Sequence, residues 1–253
     1  MWTLYEGDCL EIMPTLPDKS IDMILCDLPY GTTACKWDTV IPFAPLWAQY
    51  ERLIKDNGAI VLTASQPFTT ALISSNMRLF KYELIWDKGR GFEPQLANIR
   101  PMKAHENVLV FGKGKTIYNP QMEPLEKPYV CRRGENRSLN RKDGTGQNLF
   151  KSKPIPEKEY THKFPISILR AGFEAKRDHP TQKPVALFEY LIKTYTNPGD
   201  TILDNCAGSG TTAIAAEQCG RNSILVEREP KYCEIIRKRM ADYESARQGC
   251  LSF

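Results

Sequence analysis

Four consecutive residues close an apolar run near the start of the chain: Asp27, Leu28, Pro29 and Tyr30, within "MILCDLPYGTT". An acid, a proline and an aromatic ring held together suit one kind of chemistry, the activation of a poor amine nucleophile. The exocyclic amino group of a nucleobase is such an amine, because its lone pair is delocalised into the ring until its hydrogens are engaged. The Asp27 carboxylate accepts from one N–H. Pro29 restricts Leu28 to extended backbone, so the Leu28 carbonyl has a fixed direction and accepts from the other. Tyr30 offers a flat face on which an extruded base stacks. Alone, Pro-Tyr-Gly is a turn and Asp27 a cap or an ion-pair partner, so the reading needs a second site.

That second site lies in "TILDNCAGSGTTAIAA", where Gly208 and Gly210 fall between a strand-like and a helix-like run. Glycines there let a ligand approach the backbone, and a helix N-terminus favours an anionic group. Glu227 ends the next strand-like run, "NSILVE", where a nucleotide-binding sheet carries the acid that holds ribose hydroxyls. The loop lacks the third glycine of a dinucleotide fingerprint, and no lysine follows Gly210 as a P-loop requires. The context points to an adenosine-bearing cofactor.

The elements that must position these residues are legible as periodicity. "IDMILCD", "GAIVLTA", "YELIWD", "ENVLVFG", "TILDNCA" and "NSILVE" read as strands, and their continuous apolar character suits a largely parallel sheet covered on both faces. Helices are expected in "PFAPLWAQYERLIKDNG", capped by Gly58, in "KPVALFEYLIKTYTNPG", in "TTAIAAEQCG" and from Pro230 onward. Alternating strands and helices mean an α/β doubly wound fold, whose ligands sit beyond the carboxyl ends of the strands. If the strands ending in Asp27 and Asp204 are neighbours, the acid-proline-tyrosine cluster faces the cofactor.

Composition is that of an ordinary globular protein: 253 residues, 42% hydrophobic, 25% charged. No apolar run approaches the ~20 residues of a membrane helix, and the opening lacks a basic region followed by an apolar segment. A cytoplasmic protein with no membrane association is expected. The eight cysteines form no C-x-x-C pair and only three histidines accompany them, so reduced thiols and no metal site are expected. The net charge of +4 is unevenly spread. Residues 113–178 hold 15 Lys+Arg against 8 Asp+Glu, net +7, while the rest holds 19 against 22, net −3. This basic, irregular segment suggests contact with a polyanion.

These residues carry a resemblance. Asp27-Leu28-Pro29-Tyr30 resembles the Asp-Pro-Pro-Tyr motif of the amino-group DNA methyltransferases. "DNCAGSGTT" is similar to their cofactor loop, and "HPTQKP", His179 to Pro184, matches their His-Pro-Thr-x-Lys-Pro motif. Catalytic motif, variable recognition segment, then cofactor loop is the family's β arrangement, and the match spans nearly the whole chain outside the basic insert.

The resemblance implies a Rossmann-like methyltransferase fold using S-adenosyl-L-methionine and acting on double-stranded DNA by base flipping. Residues 1–112 form the catalytic half, 113–178 the target-recognition insert, and 179–253 the cofactor half. Asp27, Leu28, Pro29 and Tyr30 would hold the base. Asp8, Asp204, Cys206, Gly208, Gly210, Thr211, Thr212 and Glu227 would hold the cofactor, with Thr181 and Lys183 near its methionine carboxylate. Arg132, Arg133, Arg137, Arg141 and Lys142 would meet DNA. Leu28 stands where the family has a first proline, and Asn205-Cys206-Ala207 replaces Pro-Phe and the residue after it. The latter change is expected to weaken cofactor packing. "ENV" (106–108) echoes a cytosine-carbon methyltransferase motif, but no Pro-Cys supplies that chemistry's nucleophile, and it reads as a strand start.

Asp27 favours adenine-N6 as the acceptor by family habit. Cytosine-N4, adenine in RNA, or an inactive DNA-binding module are the alternatives, and a homodimer and a companion restriction enzyme stay open.

Overall fold

A computed structural model describes residues 1–32, 38–131, 158–172 and 182–250. Thr181, His179 and the five basic residues Arg132, Arg133, Arg137, Arg141 and Lys142 therefore lie outside the described residues. The chain divides into a larger unit, Met1–Asn119 with Ile166–Phe253, and a smaller one, Pro120–Pro165.

The larger unit begins with β1 (Trp2–Glu6), α1 (Cys9–Ile12), β2 (Ile21–Asp27), α2 (Phe43–Leu53), β3 (Ile54–Ala64) and α3 (Phe68–Ser75). Next come β4 (Phe80–Phe92) and β5 (Lys103–Phe111). The smaller unit contains β6 (Glu123–Cys131) and β7 (Lys158–Lys163), an antiparallel pair with Tyr129 stacked on Tyr160 at 5.3 Å. The larger unit resumes with β8 (Ile168–Arg170), α4 (Val185–Tyr195), β9 (Thr201–Asp204), α5 (Thr211–Gln218), β10 (Asn222–Glu227) and α6 (Pro230–Cys250).

Eight strands of the larger unit form one sheet in the order β1-β10-β9-β2-β3-β5-β4-β8. All run parallel except β5, which is antiparallel to both its neighbours. β2 shows why the sheet is doubly wound. Ile24 and Cys26 pack into one core with Leu46, Trp47 and Tyr50 of α2, whereas Met23 and Leu25 pack into another with Leu187, Leu191 and Ile192 of α4. With successive side chains on opposite faces, both faces of β2 must be apolar, and six of its seven residues are buried.

All six expected strands are present. The helix expected to run to Gly58 stops at Leu53, however, and Ile54–Gly58 is already β3. Gly58 is not a cap: a Cβ there would lie 2.7 Å from the Asp22 carbonyl and from Ile54 Cδ1, so glycine permits a close approach of β2 and β3.

β2 and β9 are hydrogen-bonded neighbours, with Met23 opposite Ile202 and Ile24 opposite Leu203. From this pair the chain leaves in opposite directions, β2 towards β3 and β9 towards β10. Such a switch point leaves a crevice at the carboxyl ends of the strands. Among the described residues, no helix is long and apolar enough to cross a membrane.

Candidate active site

The crevice at the switch point is a cleft of about 630 Å³. Asp27, Leu28, Pro29 and Tyr30 line one part of it, and Asp204, Cys206, Gly208 and Glu227 another. The size is in the usual range for small-molecule sites.

At the acceptor end, Asp27 closes β2 beside Thr63 of β3, its register partner. The Tyr30 hydroxyl donates to Asp27 Oδ1 at 2.8 Å, and the Thr63 hydroxyl donates to the same oxygen. Burial, with Asp27 alongside, pushes the Tyr30 phenol well above its ordinary value, so it stays protonated and donates. The Tyr30 ring stacks on Phe68 at 5.2 Å. Asp38 fixes the turn that follows, accepting from the Gly31 N–H at 2.8 Å and the Thr32 N–H at 2.9 Å.

Lys183 places its ammonium 2.7 Å from Asp27 Oδ2 and 3.3 Å from Glu106 Oε2. Burial works against its charge, but the two carboxylates outweigh burial and hold its pKa above the ordinary lysine value. Glu106 also pairs with Lys88, whose ammonium lies 5.3 Å from the Trp86 ring centroid and 4.6 Å from that of Phe92. Burial would raise the Glu106 carboxyl, yet Lys183 and Lys88 hold it below the usual range.

At the other end, Glu227 closes β10, and its carboxylate accepts from the backbone N–H groups of Gly208 at 2.7 Å and Glu229 at 2.8 Å. Burial raises its pKa. Gly208 has φ +53°, and a Cβ built there would meet nothing within 4 Å. Asp8 lines the cleft next to Gly7, whose N–H donates to the Glu227 carbonyl at 2.9 Å, and Asp8 caps α1 by accepting from Leu10 N–H at 2.8 Å. A carboxylate fixed by backbone amides beside an open glycine fits a nucleoside with ribose hydroxyls. Thr211 lines the cleft too, and its hydroxyl donates to the Lys183 carbonyl at 3.4 Å.

Three expectations change. Gly210 and Thr212, expected on the cofactor, are buried behind the loop. A Cβ on Gly210 would come within 3.0 Å of Ile236 of α6, and φ +78° at the start of α5 explains the glycine. The Thr212 hydroxyl bonds Asp204 Oδ2 inside the core. Lys183, expected near the methionine carboxylate, directs its ammonium to Asp27 because two partly buried acids, Asp27 and Glu106, draw it there.

Sequence reasoning missed Thr63, Asp38, Glu106 and Lys88. Thr63 carried the same signal as Asp27, a polar residue ending an apolar run. Nothing in the local sequence singles out Asp38.

A profile of a DNA methylase family covering amino-N6 and amino-N4 enzymes matches residues 21–238. The chain belongs to the DNA methylase family. Over 256 residues this methylase is 26% identical to a DNA adenine methyltransferase of Escherichia coli (strain K12), YhdJ, covering 94% of this chain and 82% of that one. It resembles the crystal structure of the M1.HpyAVI–SAM complex, with TM-score 0.62 and 26% identity, over 94% of this chain and 100% of the other. It shares the fold of the cytosine-N4-specific PvuII DNA methyltransferase, with TM-score 0.63 and 18% identity, over 91% of this chain and 83% of that one. The methylase is S-adenosylmethionine-dependent and acts on DNA.

Proposed function

We propose that this methylase transfers a methyl group to the exocyclic N6 amino group of adenine in DNA, on a base extruded from the helix. The observation that carries the reading is the placement of Asp27 and Tyr30 in the same cleft as Gly208 and Glu227. Bound S-adenosylmethionine supplies an electrophilic methyl group on a sulfonium, a strong leaving group. The chain's own residues therefore mainly align and polarise.

Asp8, Asp204, Cys206, Gly208 and Glu227 hold the cofactor, with Glu227 on the ribose hydroxyls. Asp27 accepts one amino hydrogen and the Leu28 carbonyl the other, which frees the nitrogen lone pair for attack. Tyr30, pinned by Phe68 and by its own hydroxyl, is a rigid wall for the base. Asp27 receives the surplus proton after transfer and releases it as product leaves. The basic segment 113–178, with Arg132, Arg133, Arg137, Arg141 and Lys142, grips phosphates and reads base edges.

An acid at position 27 supports adenine, as does the relative named an adenine methyltransferase. The test is transfer of labelled methyl to mixed-sequence DNA, followed by nucleoside analysis. N6-methyladenine that disappears with Asp27→Ala is the expected result. N4-methylcytosine would replace adenine as the acceptor, and no transfer at all would leave a DNA-binding module.

A further inference from the structure

Glu106 opens the apolar run "ENVLVF", and the amino-group chemistry above gives it no part. Its surroundings are nonetheless unusual. It lines the cleft with its side chain 12% exposed, and Oε2, although 3.3 Å from the Lys183 ammonium, is buried without a hydrogen bond of good geometry. Four charges of alternating sign run through the acceptor end: Asp27 at the end of β2, Lys183 ahead of α4, Glu106 on β5 and Lys88 on β4.

The donors on Asp27 show what this chain of charge does. A carboxylate offers about four lone-pair positions. Tyr30 and Thr63 take Oδ1, and Lys183 takes one position on Oδ2. One position on Oδ2 is left for the amino hydrogen of the substrate. How strongly it accepts depends on how far Lys183 draws charge from that oxygen. Lys183 is 7% exposed and cannot spread its charge into water. With Asp27 as its sole counter-ion it would form a tight ion pair and blunt the acceptor.

We propose that Glu106 is a positioning residue for methyl transfer: it shares the Lys183 charge and so keeps Asp27 available to the amino group. The Lys88–Glu106 pair, held beside Trp86 and Phe92, keeps the Glu106 carboxylate in place. The proposal rests on the assignment of Asp27 as the group that engages the amine. Glu106 touches neither substrate nor cofactor in this scheme and acts through Lys183.

The test is single-turnover methyl transfer with wild type, Asp27→Ala, Glu106→Gln, Glu106→Asp, Lys183→Gln and the double variant Glu106→Gln/Lys183→Gln, alongside cofactor affinity by calorimetry. Glu106→Gln keeps the shape and removes the charge. It should slow transfer by about tenfold, the equivalent of one pKa unit of acceptor strength, with KM for DNA and cofactor affinity within a few-fold. Glu106→Asp should recover part of the rate. In the Lys183→Gln background the further change at Glu106 should cost nothing, since no cation is left to share. A Glu106→Gln enzyme with wild-type turnover overturns the proposal, as does an equal cost of Glu106→Gln with and without Lys183. If single Glu106 variants do not fold, a double variant that folds and transfers as fast as Lys183→Gln alone still supports the coupling, and a double variant that is slower than Lys183→Gln or also fails to fold overturns it. Loss of transfer in Asp27→Ala, against an active wild type, establishes the underlying reading separately.

Discussion

The Tyr50 hydroxyl of α2 donates to Asn205 Oδ1 at 2.5 Å, joining α2 to the loop between β9 and α5 across 155 residues of sequence. Asn205 is 2% exposed, and burial pushes the Tyr50 phenol well above its ordinary value, so the hydroxyl keeps its proton. This is where the family has Pro-Phe. A buried hydrogen bond here ties the loop to α2 at the position where the family has proline and phenylalanine.

Tyr50→Phe leaves Asn205 Oδ1 buried without its partner, which costs about 1–3 kcal/mol. Urea unfolding should show that loss, and calorimetry a few-fold weaker affinity for S-adenosylmethionine. Unchanged stability and affinity would remove the bond from any role in the loop.

Two glycines of one loop should fail in different ways. Gly208→Ala puts a methyl group into open space lining the cleft, at a left-handed backbone position costing roughly 1–2 kcal/mol. Cofactor affinity should fall further than stability does. Gly210→Val drives a branched side chain into Ile236 and should instead destabilise the fold by a few kcal/mol. If Gly210→Val folds normally and loses only cofactor, the loop faces the other way.

Burial, opposed by the Thr212 hydroxyl, raises the Asp204 carboxyl to about 7. An acid whose folded pKa exceeds its unfolded value binds its proton more tightly when folded. Its contribution to stability is present at low pH and is lost as pH rises from about 4 through about 7. The full effect is on the order of 4 kcal/mol. The difference in unfolding free energy between wild type and Asp204→Asn should therefore shift in favour of the variant across that window. A constant difference would mean that Asp204 keeps an ordinary pKa.

Neutralising Arg132, Arg133, Arg137 and Arg141 should weaken DNA binding and flatten its salt dependence, by about 0.9 in slope for each phosphate that is no longer neutralised. Cofactor affinity should not change. An unaltered slope would move the phosphate-binding surface out of 113–178.

The parallel core was legible because continuous apolar runs leave few other fates for "IDMILCD" or "GAIVLTA". Asp27, Gly208 and Glu227 were legible because all three follow such runs. Glu106 was hidden by direction. In an all-parallel sheet the start of a strand lies far from the ligand edge, but β5 runs backwards, with Val108 opposite Thr63 and Asn107 opposite Ala64. Its beginning therefore lies beside the end of β3, at the same edge as the end of β2. Strand direction follows from the connections and from packing, not from residue types within the run. Gly58 misled for a related reason: "IKDNG" continues a helical pattern, and only pairing with β2 makes it strand.

The seam between β2 and β9 runs through two register pairs, Met23–Ile202 and Ile24–Leu203, where β2 and β3 share six. A molecule gripped at Glu227 and reaching Asp27 straddles that seam and rivets the sheet across its least-laced join. Occupancy at one end of the cleft then stiffens the other, and amide exchange at Ile24 and Leu203 should slow when cofactor alone is bound. The acceptor groups would be braced before any base arrives.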